Sequence, residues 1–218
     1  MELSISMMDG VFMMKFTIKR IELAMLLAFA FTALWGAASA QQQEDLADKM
    51  IRLHVIARSD SDADQAVKLL VRDNVLAFTQ GLMKGVSGVD AAEKTIESHL
   101  PDIQRIANAA LAESGCGYTA KAEVKVTEFP EKTYDSFALP GGKYLALRIL
   151  LGEAEGRNWW CVVYPPLCTA SAVEWEETAE KAGLSGEEIA LMKRENTHYE
   201  IRFRVVELWQ KLRVYMGK

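Results

Sequence analysis

Two apolar runs, residues 144–151 and 159–164, constrain this chain more than any other feature. Each has the length of a strand and neither shows the polar alternation of a strand with one wet face. Both therefore read as buried central strands, and a sheet must lie at the heart of the fold. The turn-rich residues 152–158 between them read as a hairpin connection. The segment Gly152-Glu153-Ala154-Glu155-Gly156 is glycine-flanked but acidic, so it would repel a phosphate rather than cradle one.

The rest of the pattern alternates between strand and helix. Ile51, Leu53 and Val55 alternate with Arg52 and His54, predicting a short strand with one apolar face that ends near Ala57. Val67, Leu70, Val71, Asn74, Val75 and Phe78 recur at helical spacing and predict a helix over 62–78. Past the glycine-rich residues 81–88, the spacing of Val89, Ala92, Ile96, Leu100, Ile103, Ala107 and Ala110 predicts a second helix, kinked or split by Pro101. Ala122, Val124 and Val126 alternate with Lys121, Glu123 and Lys125, the pattern of a half-exposed strand. Near the C-terminus a helical segment over 187–195 precedes an alternation at Tyr199, Ile201, Phe203 and Val205. The Ile201, Val205, Leu208, Leu212 spacing reads equally as a helix. With 218 residues, half hydrophobic and a quarter charged, the chain is sized for one core. The expectation is an α/β (α+β) fold: a single compact domain with a mixed sheet of four to five strands and three or more helices.

The N-terminus reads as an export signal. Lys15, Lys19 and Arg20 precede the apolar run 23–35, which leads into Gly36, Ala37 and the triplet Ala38-Ser39-Ala40. Small side chains at Ala38 and Ala40 suit signal peptidase, which places the cut after Ala40. The rival is a membrane-spanning helix, which needs roughly twenty apolar residues. Glu2 and Asp9 lie in a region that should be positive, whereas an ordinary basic leader begins at Met13 or Met14 and marks an alternative start. The expected organisation is a leader over 1–40, a polar tether over 41–48 and a domain over 49–218, with an extension from about residue 170. Removing residues 1–40 takes three charges of each sign and leaves the net charge at −5. That balance, without a Lys/Arg cluster, excludes a phosphate-tracking surface and so argues against nucleic acid.

Motifs for chemistry are sparse. Asp60, Asp62 and Asp64 have the first, third and fifth spacing of a calcium loop, but Gln65 and Val71 stand where that loop needs Gly and Glu. A helix start explains them better, with Ser61 as cap and Asp64 closing a capping box. His54, His99 and His198 show no metal spacing, and neither a Gly-x-Ser-x-Gly elbow nor a nucleotide loop is present. No metal and no cofactor is expected. Two readings of Cys161 stand side by side. It can form a disulfide with Cys168 around Pro165-Pro166, or it can be a nucleophile with His54 as base in an exported cell-wall or peptide hydrolase. Cys116 is left as a buried thiol or an alternative disulfide partner. Trp159 and Trp160 must point to opposite faces of a strand, so that one can fill the core while the other serves as a docking anchor.

Two stretches resemble a known family. Residues 52–61 (Arg-Leu-His-Val-Ile-Ala-Arg-Ser-Asp-Ser), continuing through Asp64-Gln65, Lys68 and Val71-Arg72-Asp73, look like the N-terminal signature of stage II sporulation protein R. Leu139-Pro140-Gly141-Gly142-Lys143-Tyr144, Ala146-Leu147-Arg148 and Gly152, then Gly156-Arg157-Asn158-Trp159-Trp160-Cys161-Val162 and Pro165-Pro166-Leu167-Cys168, look like its central one. The resemblance covers most of residues 14–170 and is loose beyond Cys168. It implies a non-catalytic signal made in the forespore and secreted into the space between the two membranes. There such proteins activate a membrane-embedded protease of the mother cell, which removes the pro-sequence of sigma-E. The expected partner contacts are Arg52, His54, Arg58, Asp60, Arg72, Trp159 and Trp160, polar groups beside strand ends converging with an aromatic anchor.

Overall fold

The computed structural model describes residues 3–168 and 174–194. Helix α1 (Leu3–Ala47) leads into strand β1 (Ile51–Ile56), followed by helices α2 (Asp62–Met83), α3 (Val89–Ser98) and α4 (Leu100–Glu113). Strands β2 (Ala120–Phe129), β3 (Lys132–Thr133), β4 (Ala138–Leu139), β5 (Gly142–Leu151) and β6 (Asn158–Tyr164) come next, then helices α5 (Trp175–Lys181) and α6 (Gly186–Arg194). The expected α+β domain is present. Its mixed four-stranded sheet has the order β2-β5-β1-β6, and β3 with β4 forms a small second sheet. The predicted alternation at Tyr199, Ile201, Phe203 and Val205 lies outside the described residues.

Local chemistry explains the helix boundaries. Ser61 sits in extended backbone and its Oγ accepts the Asp64 N–H, so it is the N-cap of α2, with Asp62 and Asp64 in the first turn. The reciprocal half of the capping box is replaced: the Ser61 N–H goes to Ser59 Oγ, while the Asp64 carboxylate accepts from Ser59 and from the Tyr118 hydroxyl. Pro101 falls in the first turn of α4, where a missing N–H costs nothing, and the predicted long helix breaks at His99 into α3 and α4.

Side-chain alternation sorts the sheet into two faces. Ile51, Leu53, Val55, Leu147, Ile149, Cys161 and Val163 pack under α2, α3 and α4 with Val71, Val75, Ile96 and Ile103. The opposite face collects Tyr144, Ala146 and Val162 with Leu46, Met50, Phe129, Phe137, Leu139 and Trp175. Burying each of the larger aliphatic residues contributes about 1.5–3 kcal/mol, as an upper bound.

Three expectations need correction. All six residues of β1 are buried, so beside the predicted apolar face the face that carries Arg52 and His54 is covered too: Arg52 is 0% and His54 7% exposed. Strands β5 and β6 are not a hairpin, because β1 lies between them, parallel to β5 and antiparallel to β6. Residues 152–157 arch over the end of β1 instead, which puts β6 at the sheet edge rather than its centre among the described residues. The polar tether is replaced by helix through Ala47, and Leu46 and Met50 are fully buried. Within α1, Lys19–Ala47 is long and apolar enough to cross a membrane, and Phe29, Leu34 and Trp35 are exposed.

Candidate partner-docking site

The end of β1 and the start of β6 are locked together by the arch. Gly156 donates to Ala57 O at 2.9 Å and Glu155 to Arg58 O at 3.2 Å. The Arg157 N–H reaches Asp60 Oδ1 at 2.7 Å, and the buried Lys68 of α2 donates to Arg157 O at 3.0 Å. Burial lowers the Lys68 pKa, with the Arg157 charge adding to it. Only glycine fits at position 156, since a Cβ there would stand 2.3 Å from Ser59 O. Arg58 lies over the Tyr118 ring at 5.0 Å and pairs with Glu153 at 3.0 Å.

Beyond the arch, a groove of about 650 Å³ runs along the start of β6. One wall is α2, with Arg72 and Leu76; the other is the β3–β4 connection, with Tyr134 and Phe137. Asn158, Trp159 and Trp160 form the floor. Trp159 is on the helical side, 37% exposed, with the Arg72 guanidinium 4.3 Å above its ring. Such a contact at an open site stabilises by about 0.5–1 kcal/mol. Trp160 points to the opposite face and packs against the core that holds Phe137 and Leu167.

Arg52 and His54 lie beneath this groove. The Arg52 guanidinium stacks 4.1 Å from the Phe129 ring centroid and 4.8 Å from that of Tyr144, and it donates to the Tyr134 hydroxyl at 2.9 Å. Burial raises the Tyr134 pKa, against the pull of Arg52. His54 shares a 2.9 Å hydrogen bond with Asn158 Oδ1. Burial lowers the His54 pKa, helped by the charges of Arg148 and Arg52, so the ring is neutral at neutral pH. Buried as they are, neither residue can touch a partner directly, and the expected contact set is corrected to that extent. They fix Tyr134 and Asn158 from behind. The structure thus gathers Arg72, Trp159 and Trp160 in one groove and puts Arg58 and Asp60 at its arch end.

The thiol–imidazole pair is overturned by the register. Leu53 faces Cys161 and His54 faces Trp160 across β1 and β6, so the His54 and Cys161 side chains project from opposite faces of the sheet. Cys161 is joined to Cys168 in a disulfide, and Cys116 is a free thiol. Among the described residues no cluster of three or more His, Cys, Asp or Glu side chains could hold a metal ion. The sequence reading missed Tyr134, Phe137, Asn158, Leu76 and Leu167. The pair Tyr134 and Phe137, two aromatic residues in a loop bounded by Pro130 and Pro140, was the available signal.

The arrangement defines an α+β domain carried on an apolar N-terminal helix, with an aromatic groove at its open sheet edge. The sequence model of the family "Stage II sporulation protein R (spore_II_R)" matches residues 47–174. The chain is 33% identical over 186 residues to stage II sporulation protein R of Bacillus subtilis (strain 168), covering 81% of this chain and 83% of that protein. It therefore belongs to the stage II sporulation protein R family. No solved structure matches it.

Proposed function

We propose that this chain is a secreted intercompartmental signal of sporulation: it leaves the forespore through the α1 leader, is cut after Ala40, and activates the membrane-embedded protease that processes pro-sigma-E in the mother cell. Family membership supports the role, and the apolar helix over Lys19–Ala47 is compatible with a signal sequence. The observation that carries the docking role is the groove in which Trp159 stays 37% exposed beneath the Arg72 guanidinium. An exposed tryptophan rimmed by polar groups is the composition of a binding hot spot. The contact set is Trp159, Trp160 and Arg72, with Arg58 and Asp60 at the rim.

A ligand activates a protease by binding its active state better than its inactive one, and each 1.4 kcal/mol of difference shifts that equilibrium about tenfold. Losing a single aromatic anchor, at about 2 kcal/mol, is enough to disarm the signal.

The test is a reconstitution in cells that hold the protease and pro-sigma-E, with and without this chain, scored by cleavage of the pro-sequence. Cleavage that depends on the chain and drops at least about tenfold in the folded Trp159→Ala variant supports the proposal. Cleavage unaffected by the chain, with the chain exported and folded, sinks it.

A further inference from the structure

The groove floor is a strand edge, and its hydrogen-bonding pattern specifies what can lie on it. Val162 donates its N–H to Cys168 Sγ at 3.0 Å, away from β1, and the Tyr134 hydroxyl donates to Trp160 O at 3.4 Å from the same side. In an antiparallel ladder alternate residues turn both backbone groups the same way. Asn158, Trp160 and Val162 therefore point theirs outward, whereas Trp159 and Cys161 bond β1 opposite Val55 and Leu53. The second half of this edge is covered, since the disulfide loop brings Cys168 onto Val162. Along the first half, Asn158 to Trp160, the Tyr134 hydroxyl on Trp160 O is the one contact from this side and no strand pairs with it among the described residues; this half coincides with the groove. Proteins normally cover or blunt an exposed edge, so one left open between two walls is a template for strand addition.

Resting on the signalling role proposed above, the geometry points to a partner segment that enters this groove as an extended strand and pairs with the open edge at Asn158 and Trp160. The edge is recessed between α2 and the β3–β4 connection, so two copies of this chain cannot bring their β6 edges together; a slender single segment can enter. Its side chains would alternate, one toward Leu76 and the Trp159 ring, the next toward Tyr134 and Phe137. Both contacts are apolar. The wall charges balance, Arg72 being paired with Asp73 at 2.6 Å and Lys132 sharing the other wall with Asp135, so the segment is apolar and without net charge.

Amide exchange resolved by residue tests this on the exported chain, alone and with the purified receptor protease in detergent. Strand addition slows exchange of the Trp160 N–H on the order of tenfold or more, while the Trp159 and Cys161 N–H groups, already bonded to β1, hold their rates. The affinity changes less than about threefold between low and moderate salt, because no charge pair forms. A complex that leaves Trp160 exchange unchanged overturns strand pairing and spares the signalling role. No complex at all overturns both. Protection of Trp160 in the chain alone also refutes the inference: if it grows with concentration the occupant is a second copy, and if it vanishes on truncation after Arg194 the occupant is residues 195–218.

Discussion

Replacing Gly156 with alanine is the sharpest way to ask whether the arch holds β6 in place. The added Cβ would stand 2.3 Å from Ser59 O and 2.5 Å from Ser59 C, both backbone atoms that cannot swing aside. Ordinary contact needs about 3.5 Å, so the arch must retreat by about 1 Å. That retreat stretches the 2.9 Å bond from Gly156 to Ala57, the 2.7 Å bond from Arg157 to Asp60 and the 3.0 Å bond from Lys68 to Arg157. A neutral bond contributes about 1 kcal/mol and one to a charged group about 1.5–3, so partial loss of all three costs about 2–4 kcal/mol. The control is Gly81→Ala inside α2, where nothing lies within 4 Å of the new Cβ. There the change relieves the entropic penalty of a helical glycine and stabilises by roughly 0.5–1 kcal/mol. Urea unfolding followed by tryptophan fluorescence reads both, the first as a midpoint lowered by about 1–2 M and the second as one slightly raised. A Gly156→Ala protein within about 0.5 kcal/mol of the parent would refute the clamp, as would equal signs for the two variants.

Further outcomes can be checked on the same protein. Cys168→Ala removes a crosslink between residues seven apart, which for so short a loop costs about 2–3 kcal/mol, and the difference from the parent should vanish when both are unfolded in reductant. Because burial holds the folded His54 pKa below the ordinary histidine value of 6.5, the unfolded chain binds the proton more readily. Stability is therefore fully present above pH 6.5 and falls as the pH drops through 6.5 toward the folded value. A His54→Gln protein should show a shallower acid limb in thermal melts; an unchanged limb would exclude His54 as the cause.

How much of this was legible depends on where each feature gets its partners. The Ser61 cap, the break at Pro101 and the strand at residues 51–56 are set by neighbours within a few positions, and they stand where the pattern put them. The disulfide between Cys161 and Cys168, one of two open readings, also joins nearby residues. Arg52 and His54 misled for the opposite reason. Their alternation with Ile51, Leu53 and Val55 imitates a wet face, but Phe129, Tyr144 and Asn158, some 75 to 105 positions away, cover them. No local pattern announces a guanidinium held between two rings. The insertion of β1 between β5 and β6 is likewise a long-range pairing, and a short acidic connection between two strands looks the same whether it turns tightly or crosses a third. The groove was half visible: the tryptophans stood out, while its far wall, between Pro130 and Pro140, lies in a stretch with no strand or helix periodicity.

The junction of α1 with the domain carries a consequence for the order of events at the membrane. Leu46, with no exposed surface, lies six residues beyond Ala40 in one continuous helix. At a rise of 1.5 Å per residue, the proposed cleavage point after Ala40 is only about 9 Å from a side chain locked in the core. A processing enzyme needs its substrate extended, and such a short standoff gives it no slack once the domain has closed. The proposed processing would therefore set cutting and folding in competition for the same few residues, with the cut after Ala40 preceding the docking of Leu46. Under that proposal a chain that folds first stays moored by its leader, whereas one that is cut first diffuses away. In the proposed signalling role, the relative speed of these two steps would set the distance over which the chain can act.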